Sequence, residues 1–178
     1  MSLRKPDPSE LHPFYAGYVA LAPDDDVLDH LENDLVAWRH RLGELPDEVG
    51  SFRYGDGKWS LGEMVGHLID SDWTFSYRAL FFARGAAGAL PGMDQDQWAA
   101  SPDASRRPLA ELLDAWSDVR SAAAGLFRGI TDDAWARVGT ADGKQFTARC
   151  LPYLMVGHAR HHLRTLDERY LPALRASG

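Results

Sequence analysis

The chain has 178 residues, enough for one well-buried domain and too few for two of ordinary size, so we expect a single domain over residues 1–178. Its formal net charge is −7 and it has no long basic run, which argues against a nucleic-acid partner. No segment approaches the ~20 apolar residues of a membrane-spanning helix, and the amino terminus lacks the apolar core of a signal peptide. We therefore expect a soluble, cytoplasmic protein that does not bind a membrane.

The first predicted helix spans about residues 24–42, after an N-terminal extension over residues 1–22. Leucines and a tryptophan recur along it at helical spacing, and three successive aspartates form an acidic first turn that suits the helix dipole. His30 and His40 fall on the polar face of this helix, and His12 lies in the extension. We expect all three histidines to be exposed to solvent.

The second predicted helix begins at the sequence WSLGEM and ends at RGAAG. Ser60 and Glu63 have the spacing of a capping box, in which each side chain binds the backbone N–H of the other residue, and Trp59 can pack against Met64 as a hydrophobic staple. Glu63 and Asp70 point away from the apolar stripe, so we interpret Glu63 as a cap and Asp70 as a surface residue.

The third and fourth predicted helices follow a long connection. Residues 85–107, which include LPGMDQDQWAASP, are predicted to form a long loop that covers one end of the fold. Pro108 is placed at the start of the third helix, which extends to about Gly129. The fourth helix contains VGHARHHLRTL, and we expect Pro152 in its first turn or at a kink. Because we see no alternation typical of strands, the pattern predicts an all-α four-helix bundle.

Three histidines on the predicted helices have the spacing of a metal site. His158 and His162 lie one turn apart in the centre of the fourth helix's apolar stripe, so their rings can reach one cation or form hydrogen bonds in the core. His161 falls toward the edge of that stripe. His67 lies on the flank of the second helix, where a groove of the bundle would meet solvent. A site that bridges the two helices is geometrically plausible, and ordinary core packing is the alternative.

The segments YGDGKWSLGEMVGHLIDSDWTFSYRALFFARG, LPGMDQDQW and GHARHHLRTLDERY together resemble the DinB-like superfamily, in particular its YfiT-like branch of metal-dependent hydrolases. The resemblance covers about residues 26–170. It implies a four-helix bundle of up-down-down-up topology, usually a homodimer, with one divalent metal ion on His67, His158 and His162. His161 matches no ligand position.

Three imidazoles suit zinc or nickel, which we expect, and also iron or copper. Because these ligands are neutral, a divalent ion keeps most of its positive charge. Such an ion can lower the pKa of a bound water, as in a hydrolase that attacks an amide or ester of a small-molecule substrate. It can also hold the thiolate of a low-molecular-weight thiol, as in a thiol S-transferase. A non-catalytic, metal-stabilised binding module is a third hypothesis.

Two further residues are candidates for catalysis. Asp72 lies near the centre of the second helix's apolar stripe, where an unpaired carboxylate would be costly, so it either belongs to a buried ion pair or acts on the substrate. Arg78 shares the helical line of His67 and either binds an anionic substrate or forms a salt bridge within the protein. The single cysteine, Cys150, excludes an internal disulfide and has no evident activating base.

Overall fold

The computed structural model describes residues 3–43, 45–100, 104 and 106–177. In chain order its elements are α1 (Ala16–Leu21), α2 (Val27–Leu42), α3 (Leu61–Ala83), β1 (Ala89–Leu90), α4 (Gln95–Ala99), α5 (Leu109–Arg128), α6 (Asp132–Trp135), β2 (Val138–Ala141), β3 (Lys144–Thr147), α7 (Cys150–Thr165) and α8 (Leu171–Ser177). Short 3₁₀ turns cover Pro8–Glu10, Pro13–Tyr15 and Asp47–Ser51, and a π-helical turn over Leu166–Tyr170 joins α7 to α8. Within these residues, no helix is both long and apolar enough to cross a membrane.

The four long helices are those that the sequence predicts. Helices α2 and α3 each pack against both α5 and α7, and their apolar faces form the buried core. The predicted capping box at the start of α3 is confirmed, because the backbone N–H of Glu63 donates to Ser60 Oγ and the backbone N–H of Ser60 donates to a Glu63 carboxylate oxygen. Pro152 lies in the first turn of α7, one of the two expected placements.

One buried arginine connects all four long helices. Arg120 on α5 is fully buried, and its Nε donates to Asp72 Oδ2 on α3 at 2.8 Å. Its two terminal nitrogens donate to the carbonyl oxygens of Leu31 on α2 and Met155 on α7, at 3.0 and 3.1 Å. Trp116 Nε1 donates to the same Asp72 oxygen at 2.6 Å. These directional bonds join α5 to defined positions on the other three long helices.

A small sheet contradicts the expectation that the chain has no strands. Strand β2 pairs in parallel with β1 and antiparallel with β3, so the order is β1-β2-β3. Asp142 and Gly143, with φ of 54° and 68°, form the two-residue turn between β2 and β3. Strands of two to four residues are too short to show a clear alternation. Residues 85–107 are also not a plain loop, since they contain β1 and α4.

The N-terminal extension packs onto the bundle through α1. Helix α1 contacts α7 so closely that a Cβ atom at Gly157 would collide with the backbone carbonyl of Tyr18. Two of the three histidines expected to be exposed are half-buried instead, and only His40 is exposed. His30 on α2 contacts Arg160, which reaches across from α7, and His12 Nδ1 accepts the backbone N–H of Phe14.

Candidate metal centre

The packing of α3 against α7 brings three imidazole nitrogens to one point. His67 extends from α3, and His158 and His162 extend from successive turns of α7. His158 Nε2 lies 3.1 Å from His67 Nε2 and 3.1 Å from His162 Nε2. The ligand atoms of the three residues all lie within 4.8 Å of one another. His67 and His158 are buried and His162 is half-buried, so the cluster has one partly open side.

Hydrogen bonding alone does not account for this convergence. The Nε2 atom of a neutral imidazole either donates one N–H or offers one lone pair, so His158 Nε2 makes at most one good N–H···N bond with its two neighbours. A metal ion instead accepts a lone pair from each nitrogen. Zinc–nitrogen bonds of ~2.0–2.1 Å in a tetrahedral site place ligand nitrogens roughly 3.3 Å apart, close to the observed separations. The residues therefore fit a divalent ion with three histidine ligands.

The surroundings keep these histidines neutral, as metal binding requires. Burial lowers the pKa of His67 to about 4 and that of His162 to about 3. Burial also holds the pKa of His158 well below its ordinary value, and the neighbouring histidines act in the same direction. At neutral pH the three lone pairs are therefore available, and a metal ion would not have to displace protons from the rings.

Aromatic side chains surround the inner end of the cluster. Tyr18 and Phe75 meet the His158 ring edge to face, with centroid distances of 5.3 and 6.0 Å. His158 Nδ1 is buried and has no hydrogen-bond partner among the described residues. His161 is exposed, lies outside the nitrogen cluster and packs edge to face against His162, in keeping with its predicted exclusion from the ligand set.

The sequence model of the DinB superfamily matches residues 30–166, which are most of the chain. The chain belongs to the DinB superfamily. The fold is similar to that of a solved structure described as "YfiT from Bacillus subtilis is a probable metal-dependent hydrolase with an unusual four-helix bundle topology". That structure superposes on this DinB-superfamily chain with a TM-score of 0.68 and 20% identity, covering 92% of this chain and 90% of the other.

Two curated relatives of this DinB-superfamily chain have names that refer to metal-dependent hydrolysis. One, from Oceanobacillus iheyensis, is named "Putative metal-dependent hydrolase" and is 30% identical over 83 residues, which cover 44% of this chain and 47% of that relative. The matched region thus spans about half the length of that relative. Another with the same name, from Geobacillus thermodenitrificans, is 24% identical over 128 residues, which cover 71% of this chain and 72% of the relative.

A cleft of about 380 Å³ lies beside the histidines of this DinB-superfamily member. His162 forms part of its wall, together with Tyr54, Gly57, Lys58, Trp59, Met64, Asp96, His161, Thr165 and Tyr170. The Trp59 ring lies nearly parallel to that of His162 and 4.7 Å from the centroid of the His67 ring. The Tyr170 hydroxyl holds Trp59 in place by donating to its carbonyl oxygen at 2.7 Å. The cleft gives a small molecule a path to the partly open side of the histidine cluster, at His162.

Lys58 and Asp96 are functional candidates that sequence reasoning missed. Both side chains are exposed in the cleft, and neither forms an ion pair among the described residues. Lys58 directly precedes Trp59 in the KWS segment that carries the family resemblance, which was the available signal. Asp96 lies on α4, within a segment predicted to be a loop, and nothing in its local sequence linked it to the histidines.

The structure places Asp72 and Arg78 away from this cleft. Asp72 is fully buried and ion-paired with Arg120, the arrangement that the sequence offered as the alternative to catalysis. Arg78, also on α3, lines a different groove beside Pro91 and Met93. Neither side chain lines the cleft next to His162. A direct catalytic role for either residue stays a prediction.

Proposed function

We propose that this DinB-superfamily protein is a metal-dependent hydrolase of a small molecule, with one divalent ion held by His67, His158 and His162. The observation that carries the proposal is the convergence of three neutral Nε2 atoms beside a cleft that His162 lines. The names of the two curated relatives support the same class of reaction.

The protein's own residues would bind the ion, shape the cleft and orient the substrate. A bound ion would supply Lewis acidity and lower the pKa of a water ligand to about 7. Trp59 would shield the ligand nitrogens from bulk water on one side, because its ring lies 4.7 Å from the His67 ring and 6.5 Å from the His162 ring, measured between centroids. Lys58 would hold a negatively charged part of the substrate, and Asp96 would accept a proton at its carboxylate. Three ligands suit catalysis better than structure, since structural zinc sites ordinarily have four protein ligands.

We propose zinc or nickel as the resident ion, and iron or copper is also compatible with three imidazoles. Imidazole binds all four metals, and the order of intrinsic affinities does not decide which one a protein carries in the cell.

A thiol S-transferase is the second candidate function. The observation that favours it is the unpaired ammonium group of Lys58 in the cleft, which could bind a carboxylate of a low-molecular-weight thiol. The three-ligand set would then leave a position for the thiolate. A non-catalytic binding module is the third candidate, and it is favoured least because the cluster faces a cleft on one side.

An activity screen distinguishes these functions. We expect metal-loaded protein to hydrolyse at least one member of a panel of esters and amides without added thiol, and His158→Ala to abolish that activity. Lys58→Met should weaken turnover of anionic substrates chiefly through KM, since Lys58 does not touch the reacting bond in this scheme. Turnover that requires an added thiol would establish the transferase instead. Activity that persists in metal-free His158→Ala would remove the metal from the reaction.

The up-down-down-up order of the helices, a cytoplasmic location and a homodimer complete the proposal, on the basis of the family resemblance and the composition. We expect sedimentation velocity at micromolar concentration to give the mass of two chains, about twice the 19.8 kDa of one. A single monomeric species across the micromolar range would contradict the homodimer and leave the metal site unaffected.

A further inference from the structure

Arg78 is a buried cation without an anionic partner. It is 5% exposed, yet among the described residues no carboxylate oxygen lies within ion-pair distance of its guanidinium, whereas the fully buried Arg120 is paired with Asp72. Its Nη2 donates to the carbonyl oxygen of Pro91 at 3.2 Å, and the Tyr15 hydroxyl also lies within hydrogen-bonding reach of the guanidinium. A guanidinium has five N–H donors, so several donors of Arg78 remain available to a ligand.

The unused donors of Arg78 face a groove. Each nitrogen of Arg78 either forms a hydrogen bond or is accessible to solvent, so the N–H groups without a partner reach accessible space. That space is a groove of about 330 Å³ between α3 and residues 90–93, and Arg78 lines it. The groove shares no lining residue with the cleft beside His162. It is therefore a separate site.

The walls of the groove are mainly apolar and aromatic. Trp73, Tyr77 and Trp98 line it with 56%, 56% and 47% of their surface exposed, an unusual exposure for three large aromatic residues side by side. Leu90 and Met93 contribute further apolar surface. Rings of this kind favour contact with another aromatic ring, by offset or edge-to-face packing.

The charges around the groove set the polarity of its ligand. Asp70 also lines the groove, eight residues before Arg78 on α3, so the two Cα atoms lie roughly 12 Å apart along the helix axis. The Tyr15 hydroxyl is a neutral group near the guanidinium, since burial raises the pKa of Tyr15 despite the nearby charge of Arg78. Asp142 lies close to Gly92 and is paired with Lys144. A ligand with one negative charge, placed at the Arg78 end, satisfies this arrangement, whereas Asp70 disfavours a polyanion.

We propose that this groove is a second binding site, for a small aromatic molecule that carries a single carboxylate. The carboxylate accepts hydrogen bonds from the free N–H groups of Arg78, and the ring packs among Trp73, Tyr77 and Trp98. A planar guanidinium matches a carboxylate in geometry as well as charge. The site goes beyond the proposed function and does not require a metal.

Calorimetric titration of the metal-loaded protein tests the site, with phenylacetate as the probe. We expect phenylacetate to bind at least about tenfold more tightly than phenylacetamide, which lacks the charge, or acetate, which lacks the ring. Arg78→Gln should weaken phenylacetate binding by about ten- to a hundredfold, the range for loss of a hydrogen bond to a charged group. Trp73→Ala should also weaken it, and the exposed position of Trp73 makes this variant safe for the fold. Arg84 is an exposed arginine at the end of the same helix, so Arg84→Gln is the matched control and should bind phenylacetate like the parent protein.

The three-histidine cluster could also attract a carboxylate, so the same titration is repeated with His158→Ala. Unchanged phenylacetate binding in that variant places the ligand in the groove, and this result does not depend on whether the protein is a hydrolase. Binding lost in His158→Ala but retained in Arg78→Gln would overturn the proposal, as would equal affinity for phenylacetate and phenylacetamide. Absence of binding at roughly 10 mM phenylacetate, a weak limit for a ligand of this size, would overturn it too.

Discussion

Replacing His67, His158 or His162 with alanine is expected to reduce the metal content from about one ion per chain to nearly none. The parent cluster offers three nitrogen ligands, and each substitution leaves two. Two ligands are too few to retain a divalent ion through purification. Elemental analysis of the purified proteins after dialysis gives the stoichiometry. Loss of the metal in all three variants would establish the three histidines as ligands. Unchanged metal stoichiometry in all three would contradict this ligand set.

His161→Ala is the matched control for this experiment. His161 lies on the same helix, directly before His162, but it is exposed and outside the nitrogen cluster. We expect His161→Ala to retain the metal and the parent's stability. A chelator should lower the melting temperature of the parent and of His161→Ala, because an ion at a thousandfold excess over its Kd stabilises the folded state by about 4 kcal/mol. The three ligand variants should show no such shift, which separates metal loss from general damage to the fold.

The helical part of the fold is predictable because its signals are local. The apolar stripes and the capping box at Ser60 and Glu63 lie within a few turns of one helix, so periodicity and spacing reveal them. The pair His158 and His162 is visible for the same reason. The helical position of His67 made it a plausible third ligand, but choosing this site over ordinary core packing rested on the family resemblance, because 91 residues separate His67 from His158.

The sheet and the polar core escape local reasoning for different reasons. Strands β2 and β3 are four residues each and show no clear alternation, although the Asp142–Gly143 pair is a recognised hairpin signal that could have indicated them. Arg120 appears in the sequence as one charged residue in an apolar stripe. Its partners Asp72 and Met155 are 48 and 35 residues away, so its central position depends on the assembled bundle.

Asp72→Ala is expected to destabilise the protein by about 3–5 kcal/mol, because it leaves the fully buried Arg120 without its counter-charge and Trp116 Nε1 without its acceptor. Urea unfolding at neutral pH measures the effect. Asp114→Ala is the matched control, since Asp114 forms an exposed ion pair with Arg39 and its loss should cost at most about 1 kcal/mol.

The double variant Asp72→Leu with Arg120→Met shows whether the pair stabilises the fold or mainly orients the helices. Apolar replacement of both partners removes the unpaired charge, so the double variant should be clearly more stable than Asp72→Ala. The carbonyl oxygens of Leu31 and Met155 lose their bonds from Arg120 in this variant. Both carbonyls lie within helices, so backbone N–H groups still donate to them. Arg120 links α3 to α7 at Met155, three residues before His158, so metal affinity should fall in the double variant even where stability recovers. Recovery of both stability and metal affinity would show that apolar packing alone positions the three histidines. Recovery of stability alone would show that the buried ion pair aligns the metal-bearing helices.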